Sequence, residues 1–307
     1  AAIGVFQKNT VPASGPLSVP TTAYWDATAQ GLVSFDAEGQ IEAGLAERWT
    51  VTTDGRSYIF RIREAKWPDG RKVTAPQIAT ILRSYLGPTS RHPLKDDFIE
   101  VENIHAMTDN VLEIRLRLAQ PMLLELLAQP SMALVGGGSG WDRGWGPMRV
   151  RADAKSSGKT LLFYPAPDPL LPDAADAAAQ TPANQMVEMV STDAPRALAR
   201  FKNGYADAVI GGRYASLPYV YSIGITRSRL QIDPTSGLFG LAFQQERGFW
   251  ADPTHRLALS SLIRRDRLIR AFRLTDWPAQ TSLRLANAAR SDLPPPAIPS
   301  WTDVSDP

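Results

Sequence analysis

Two short runs constrain the fold of this chain more than any other feature. Ser57–Arg63 (SYIFRIR) and Val111–Leu118 (VLEIRLRL) alternate apolar and polar residues. A period of two marks a half-buried β-strand, because successive side chains point to opposite faces. Asp54-Gly55 and Asp69-Gly70 supply tight turns beside such runs. The first part of the chain therefore reads as β-rich, with hairpins, and the apolar run Ala1–Phe6 reads as a further strand.

Helices announce themselves by their starts. Thr74 precedes Ala75-Pro76-Gln77, a capping-box spacing with Pro in the first turn. Ile78, Ile81, Leu82 and Tyr85 follow at helical spacing, and Gly87-Pro88 stops the run. Asp193 with Pro195 opens a second helix through Leu198 and Phe201, ended by Asn203-Gly204. Asp252-Pro253 opens a third, with Leu257, Leu262 and Ile263 expected on its buried side. Gln7–Thr22 reads as a polar loop, and the segment from Tyr24 is helix-like up to Gly31. Gly136–Pro147, rich in Gly and Trp, reads as irregular, and Pro165–Ala183 as a loop or linker.

Composition then excludes whole classes of function. The 307 residues contain no cysteine, which removes disulfide scaffolds, thiolate metal sites and thiol nucleophiles. Lys and Arg number 33 against 31 Asp and Glu, so no global field draws in nucleic acid. No stretch approaches the ~20 apolar residues of a membrane span.

The candidate chemistry is thin. His92, His105 and His255 lack partners at metal-ligand spacing. The glycine run Gly136–Gly140 lacks the Lys and Ser/Thr of a phosphate loop, and no nucleophile elbow is present. Arg264, Arg265, Arg267, Arg270 and Arg273 form a basic helix face that reads as solvated, with phosphate contact as the alternative. Tyr24, Trp25, Trp141, Trp145 and Trp250 lie in or near expected loops, where aromatics either line a ligand cleft or pack at a core rim. No catalytic residue, metal site or cofactor emerges.

An ordered series of motifs carries the reading further. It begins with Leu32-Val33, Asp36, Gly39, Ile41 and Leu45-Ala46-Glu47-Arg48-Trp49. It continues with Asp54-Gly55, Tyr58–Arg63, Trp67-Pro68-Asp69-Gly70 and Thr74–Ile78. Gly144-Trp145-Gly146-Pro147, Leu198–Asp207, Leu241–Gln244 and the positions Asp252, Arg256, Ala258 and Ile263 follow in order. The series resembles the extracellular solute-binding proteins of family 5, which serve peptide- and nickel-type ABC importers. Ala43, Gln77, Gln244 and Arg264 depart from that pattern, standing where the family favours Pro, an acidic residue, Asn and Asp.

The resemblance implies an α/β fold of the periplasmic binding protein kind (type II, cluster C), with mixed sheets flanked by helices. It implies a first-lobe core from 1–20 and 148–225, an added β-rich subdomain at 21–147, and the start of an incomplete second lobe at 226–307. A further segment or chain would complete that lobe. It also implies capture of a small solute, peptide-like by first guess, without catalysis, and delivery to a membrane permease. Location would be periplasmic or on the outer face of the cytoplasmic membrane, after signal removal. By analogy, ligand contacts fall on Thr21, Thr22, Tyr24, Trp25, Gln129, Trp145, Phe239 and Gln244. Gln129 is neutral where some relatives place a cationic contact. The same domain could instead serve as the sensing part of a transcriptional regulator, or as a scaffold that no longer binds.

Overall fold

The computed structural model describes residues 1–4, 17–139, 142–152, 159–166, 185–232, 240, 241, 243 and 247–273. The chain divides into two compact units, Ala1–Gly212 and Arg213–Pro307.

Within the first unit, the alternating runs build an antiparallel sheet. Its strands are β4 (Ala46–Val51), β5 (Ser57–Ile62), β6 (Val101–Thr108) and β7 (Val111–Leu116), in the spatial order β4-β5-β7-β6. The register pairs Tyr58 with Ile114 and Phe60 with Leu112. One face thus collects Tyr58, Phe60, Ile62, Leu112, Ile114 and Leu116, all buried. The other face is polar and carries cross-strand ion pairs, such as Arg61 with Glu47 at 2.9 Å and Arg115 with Glu102 at 3.5 Å. These pairs are exposed, so each is worth about 0–1 kcal/mol, whereas burying one large apolar side chain contributes about 1.5–3 kcal/mol.

Helix α2 (Ala75–Leu86) covers the apolar face, packing on β6 and β7. Ile78, Ala79, Leu82 and Tyr85 fall on one stripe and are buried. The expected capping box forms: the Gln77 side-chain oxygen accepts from the Thr74 backbone at 3.2 Å. The same oxygen accepts from the Trp67 indole at 3.1 Å, so Gln77 also ties down the strand-turn before the helix. His92 closes the edge of this core, stacked 5.3 Å from Tyr85. Its Nδ1 accepts from the Leu94 amide at 3.1 Å, which leaves the proton on Nε2, 3.0 Å from the Ser131 carbonyl. The role is structural.

A second sheet runs β1-β12-β11-β10, with β1 (Ala2–Ile3) parallel to β12 (Val187–Thr192). β11 (Thr160–Pro165) pairs antiparallel with both β12 and β10 (Met148–Ala152). Helix α1 (Val19–Thr28) lies over this sheet, and Tyr24 meets Phe163 edge-on at 6.5 Å. Leu161, Phe163 and Val150 complete the small core beneath it. β2 (Val33–Phe35) and β3 (Ile41–Ala43) form a separate ribbon, and α3 (Leu123–Leu127) packs on β2.

Two expectations need correction in this unit. Thr21 and Thr22 lie inside α1 rather than in a loop, because Pro20 in the first turn is preorganised for helix and starts it earlier. The helix ends at Thr28, short of Gly31. Gly136–Pro147 is not irregular either: β8 (Val135–Ser139) and β9 (Asp142–Gly144) pair antiparallel. Glycine there reflects close approach rather than a loop, since a Cβ on Gly136 would sit 2.6 Å from the Trp67 ring. Most of Pro165–Ala183 falls outside the described residues.

The Asp193 helix is α4 (Ala194–Lys202), whose first turn is capped by the Asp193 carboxylate accepting from the Arg196 amide at 2.9 Å. It contacts β1 and β12.

The second unit contains α5 (Leu217–Ser222), α6 (Pro253–Leu262) and α7 (Arg265–Ala271). The Tyr221 hydroxyl donates to the Phe272 carbonyl at 3.2 Å, and the Arg273 guanidinium lies 4.7 Å over the Tyr221 ring. Leu257 and Leu262 were expected on a buried side, yet Leu262 is 76% exposed and α6 has no buried residue. The stripe is amphipathic, but burial also needs a facing layer, and the described residues of this unit do not bury it.

Candidate functional site

Three segments that the sequence reading marked separately meet in the first unit. α1 is the centre. Its residues Thr21, Tyr24, Trp25 and Thr28 recur at helical spacing and are buried. Tyr24 and Trp25 touch each other with ring centroids 4.6 Å apart and belong to the core under the helix. Thr21 shares a hydrogen bond with Ser18 at 2.8 Å. These three expected contacts therefore shape and hold the helix from its inner side. The outer stripe holds Thr22, half-buried, and Asp26, exposed, four residues apart. Desolvation of the Asp26 carboxyl by the surrounding protein pushes its pKa up to about 6, although the residue as a whole keeps its exposed surface.

The Gly144–Pro147 turn seats against the end of α1. The Trp145 carbonyl accepts from the Gln30 amide at 3.1 Å. A Cβ on Gly146 would lie 2.3 Å from the Thr28 carbonyl carbon and 2.6 Å from the Ala29 nitrogen. On Gly144 it would lie 2.3 Å from the Ala29 Cβ. Glycine on both sides of Trp145 is thus a packing requirement. Trp145 itself is half-buried, and the Arg63 guanidinium stacks 5.1 Å over its ring. The Arg63 Nε is buried with no hydrogen-bond partner among the described residues, and the aromatic face offers its guanidinium a cation–π contact.

Gln129 brings the third segment. It precedes the 3-10 turn Pro130–Met132, which packs on α1. Its side-chain amide donates to the Glu125 carbonyl at 3.3 Å, and the residue is half-buried. Phe239 and Gln244 lie outside the described residues.

Sequence reasoning missed Arg63 as a site residue and counted it only within a strand motif. The pairing could not be read from spacing, because Arg63 and Trp145 are brought together by the tertiary fold. It also missed a cleft of about 720 Å³ beside α4, lined by Lys159, Val190, Arg196 and Arg200 among others. None of the expected contact residues lines it. In the second unit, Trp250 stands in an exposed aromatic group with Phe243 at 5.3 Å and Phe249 at 5.0 Å. Phe249 stacks on His255 at 3.9 Å. Among the described residues, no His/Asp/Glu cluster is arranged to hold a metal ion, and no helix is long and apolar enough to cross a membrane.

Comparison with known proteins bears on the fold and the family. The periplasmic oligopeptide-binding protein OppA of Haemophilus influenzae is 34% identical over 83 residues, 26% of this chain and 15% of the relative. The nickel-binding periplasmic protein of Escherichia coli is 29% identical over 100 residues, 32% of this chain and 19% of that one. Among solved structures, the Escherichia coli murein tripeptide binding protein MppA superposes with a TM-score of 0.67 at 20% identity, covering 88% of this chain and 56% of MppA. NikZ from Campylobacter jejuni, solved with Ni(L-His), gives 0.62 at 17% identity, covering 90% and 55%. The chain thus spans little more than half of these structures. They share the type II periplasmic binding protein fold, the α/β arrangement of mixed sheets and flanking helices described above. The model of the bacterial extracellular solute-binding proteins, family 5, matches residues 40–307. That match begins after α1 and takes in the β4-β5-β7-β6 sheet, the turn at Trp145 and the capped helix at Asp193, and the chain belongs to this family of solute-binding proteins.

Proposed function

We propose that this chain is the solute-binding component of an ABC importer, which captures a short peptide reversibly and passes it to a membrane permease. The family match over residues 40–307 carries the reading. Peptide is the favoured class because oligopeptide-, dipeptide- and glutathione-binding proteins stand among the relatives. The same kinship supports a periplasmic location, since OppA and the nickel-binding protein are periplasmic by name.

The proposed contacts in the first unit are Thr22, Asp26, Gln129 and Trp145, with Arg63 positioning the Trp145 ring. Asp26 suits a peptide ammonium, since an opposite charge favours the ionised carboxylate. With its pKa near 6, that attraction strengthens as pH rises through this value. Thr21, Tyr24 and Trp25 keep α1 in place beneath the contacts. Capture needs no bond to break: a half-buried aromatic, an amide and a carboxylate hold a solute by packing, hydrogen bonding and charge.

Tryptophan fluorescence titration with a mixture of short peptides tests the reading. The expected result is saturable binding, weakened about ten-fold or more by N-acetylation of the same peptides or by Trp145→Ala, a loss of about 1.4 kcal/mol. Absence of saturable binding, or indifference to both changes, would overturn it.

A further inference from the structure

The cleft beside α4 lies apart from the residues proposed above as peptide contacts. One face of α4 presents Arg196, Ala199, Arg200 and Asn203 to it, at the i, i+3, i+4, i+7 spacing of a single helical stripe. The opposite side of the helix buries Ala197 and Leu198. The facing wall comes from the sheet. Thr160 on β11 and Val190 on β12 are directly paired and both line the cleft. Lys159 stands at the start of β11. The opposite face of that sheet, with Leu161 and Phe163, is the side packed under α1.

Three cations therefore border one concave space of about 720 Å³, and no lining residue is acidic. Asp193 caps α4 and pairs with Arg196 at 3.1 Å. Lys159 makes no ion pair among the described residues. Arg200 is satisfied only in part. One of its terminal nitrogens reaches the Tyr205 carbonyl at 3.4 Å, while its Nε is buried without a hydrogen-bond partner. A buried guanidinium N–H left unpaired costs free energy that an oxyanion would recover through a short charge-assisted bond. The hydroxyl of Thr160 and the amide of Asn203 add polar groups around the same space.

We infer that this cleft binds a multivalent oxyanion, a small solute with two or more closely spaced anionic groups. The guanidinium fork of Arg200 takes one group, Lys159 and Arg196 the others, with Val190 and Ala199 as apolar floor. A di- or tricarboxylate and an organic phosphate share this chemistry. The inference does not rest on the peptide reading and concerns a different part of the first unit.

Thermal unfolding of the 307-residue chain tests it, with citrate and pyrophosphate as probes and potassium chloride at matched ionic strength as the control. The expected result is a saturable rise in Tm with at least one probe, and the stronger probe identifies the source. Arg200→Gln and, separately, Lys159→Gln should each weaken the apparent affinity about ten-fold or more. Lys159 is exposed, so its variant keeps the test decisive where loss of Arg200 impairs folding. Titration with short peptides in the Lys159→Gln variant should be unchanged, which separates this site from the proposed peptide contacts. A rise no larger than the chloride control, or wild-type affinity in Lys159→Gln, would overturn the inference.

Discussion

Replacing Gly146 by alanine is the sharpest perturbation of the α1 locus. The added Cβ would stand 2.3 Å from the Thr28 carbonyl carbon, 2.6 Å from the Ala29 nitrogen and 2.8 Å from the Ala27 oxygen. Ordinary contact begins at 3.4 Å, and all three neighbours are backbone. No side chain can swing away, so the turn or the end of α1 must move by about 1 Å in a close-packed region. The shift would stretch the 3.1 Å bond from Gln30 to the Trp145 carbonyl and disturb the Arg63 stack on the ring. Overpacking of this kind costs about 2–3 kcal/mol. For a unit of this size, that lowers Tm by about 4–12 °C. Gly212→Ala is the control, since its Cβ would meet nothing within 4 Å and its φ is not in the left-handed region. Differential scanning calorimetry of the two variants decides the matter. A Gly146→Ala midpoint within about 2 °C of the Gly212→Ala midpoint would refute the claim that the turn is seated against α1.

Two further outcomes follow from local chemistry. Burial holds the His92 imidazolium form unfavourable and lowers its pKa from 6.5, partly offset by the Ser131 carbonyl. The unfolded chain then binds more protons than the native one just below that value, so the His92 contribution to stability is fully present above pH 6.5 and is lost as pH falls toward the lowered pKa; urea unfolding across this window should show a slope that His92→Gln flattens, and an equal slope in both proteins would contradict it. Asp193→Ala removes the cap of α4 and should cost about 1 kcal/mol in the same assay, whereas an unchanged urea midpoint would deny the cap its role.

The fold was legible where a short local pattern decides structure. The alternation of Ser57–Arg63 gave β5, and the Thr74–Gln77 spacing gave the start of α2, because period and capping are properties of neighbours in sequence. Legibility failed where tertiary packing decides. Gly136 reads as a loop residue until Trp67 is seen beneath it. Leu257 and Leu262 read as core because a stripe says which side would be buried, not whether anything covers it. The site divides in the same way. Trp145 and the residues of α1 could be marked by motif, and their neighbourhood emerged only with the fold. For Tyr24 and Trp25 the sequence leaves cleft lining and core packing both open, and the fold puts their side chains in the core under α1. Arg63 and the α4 cleft were invisible, since their groups are distant in sequence: Lys159 and Arg200 border one cleft from a sheet and a helix.

The central claim is that this chain holds a solute and returns it unaltered. Native mass spectrometry of the 307-residue protein mixed with short peptides measures that directly. The account predicts a saturable complex whose mass exceeds that of the protein by one intact peptide, and release of the same peptide, unchanged in mass, on denaturation. Shortened or otherwise modified peptides accumulating with protein and time, or no complex at any peptide concentration, would contradict it.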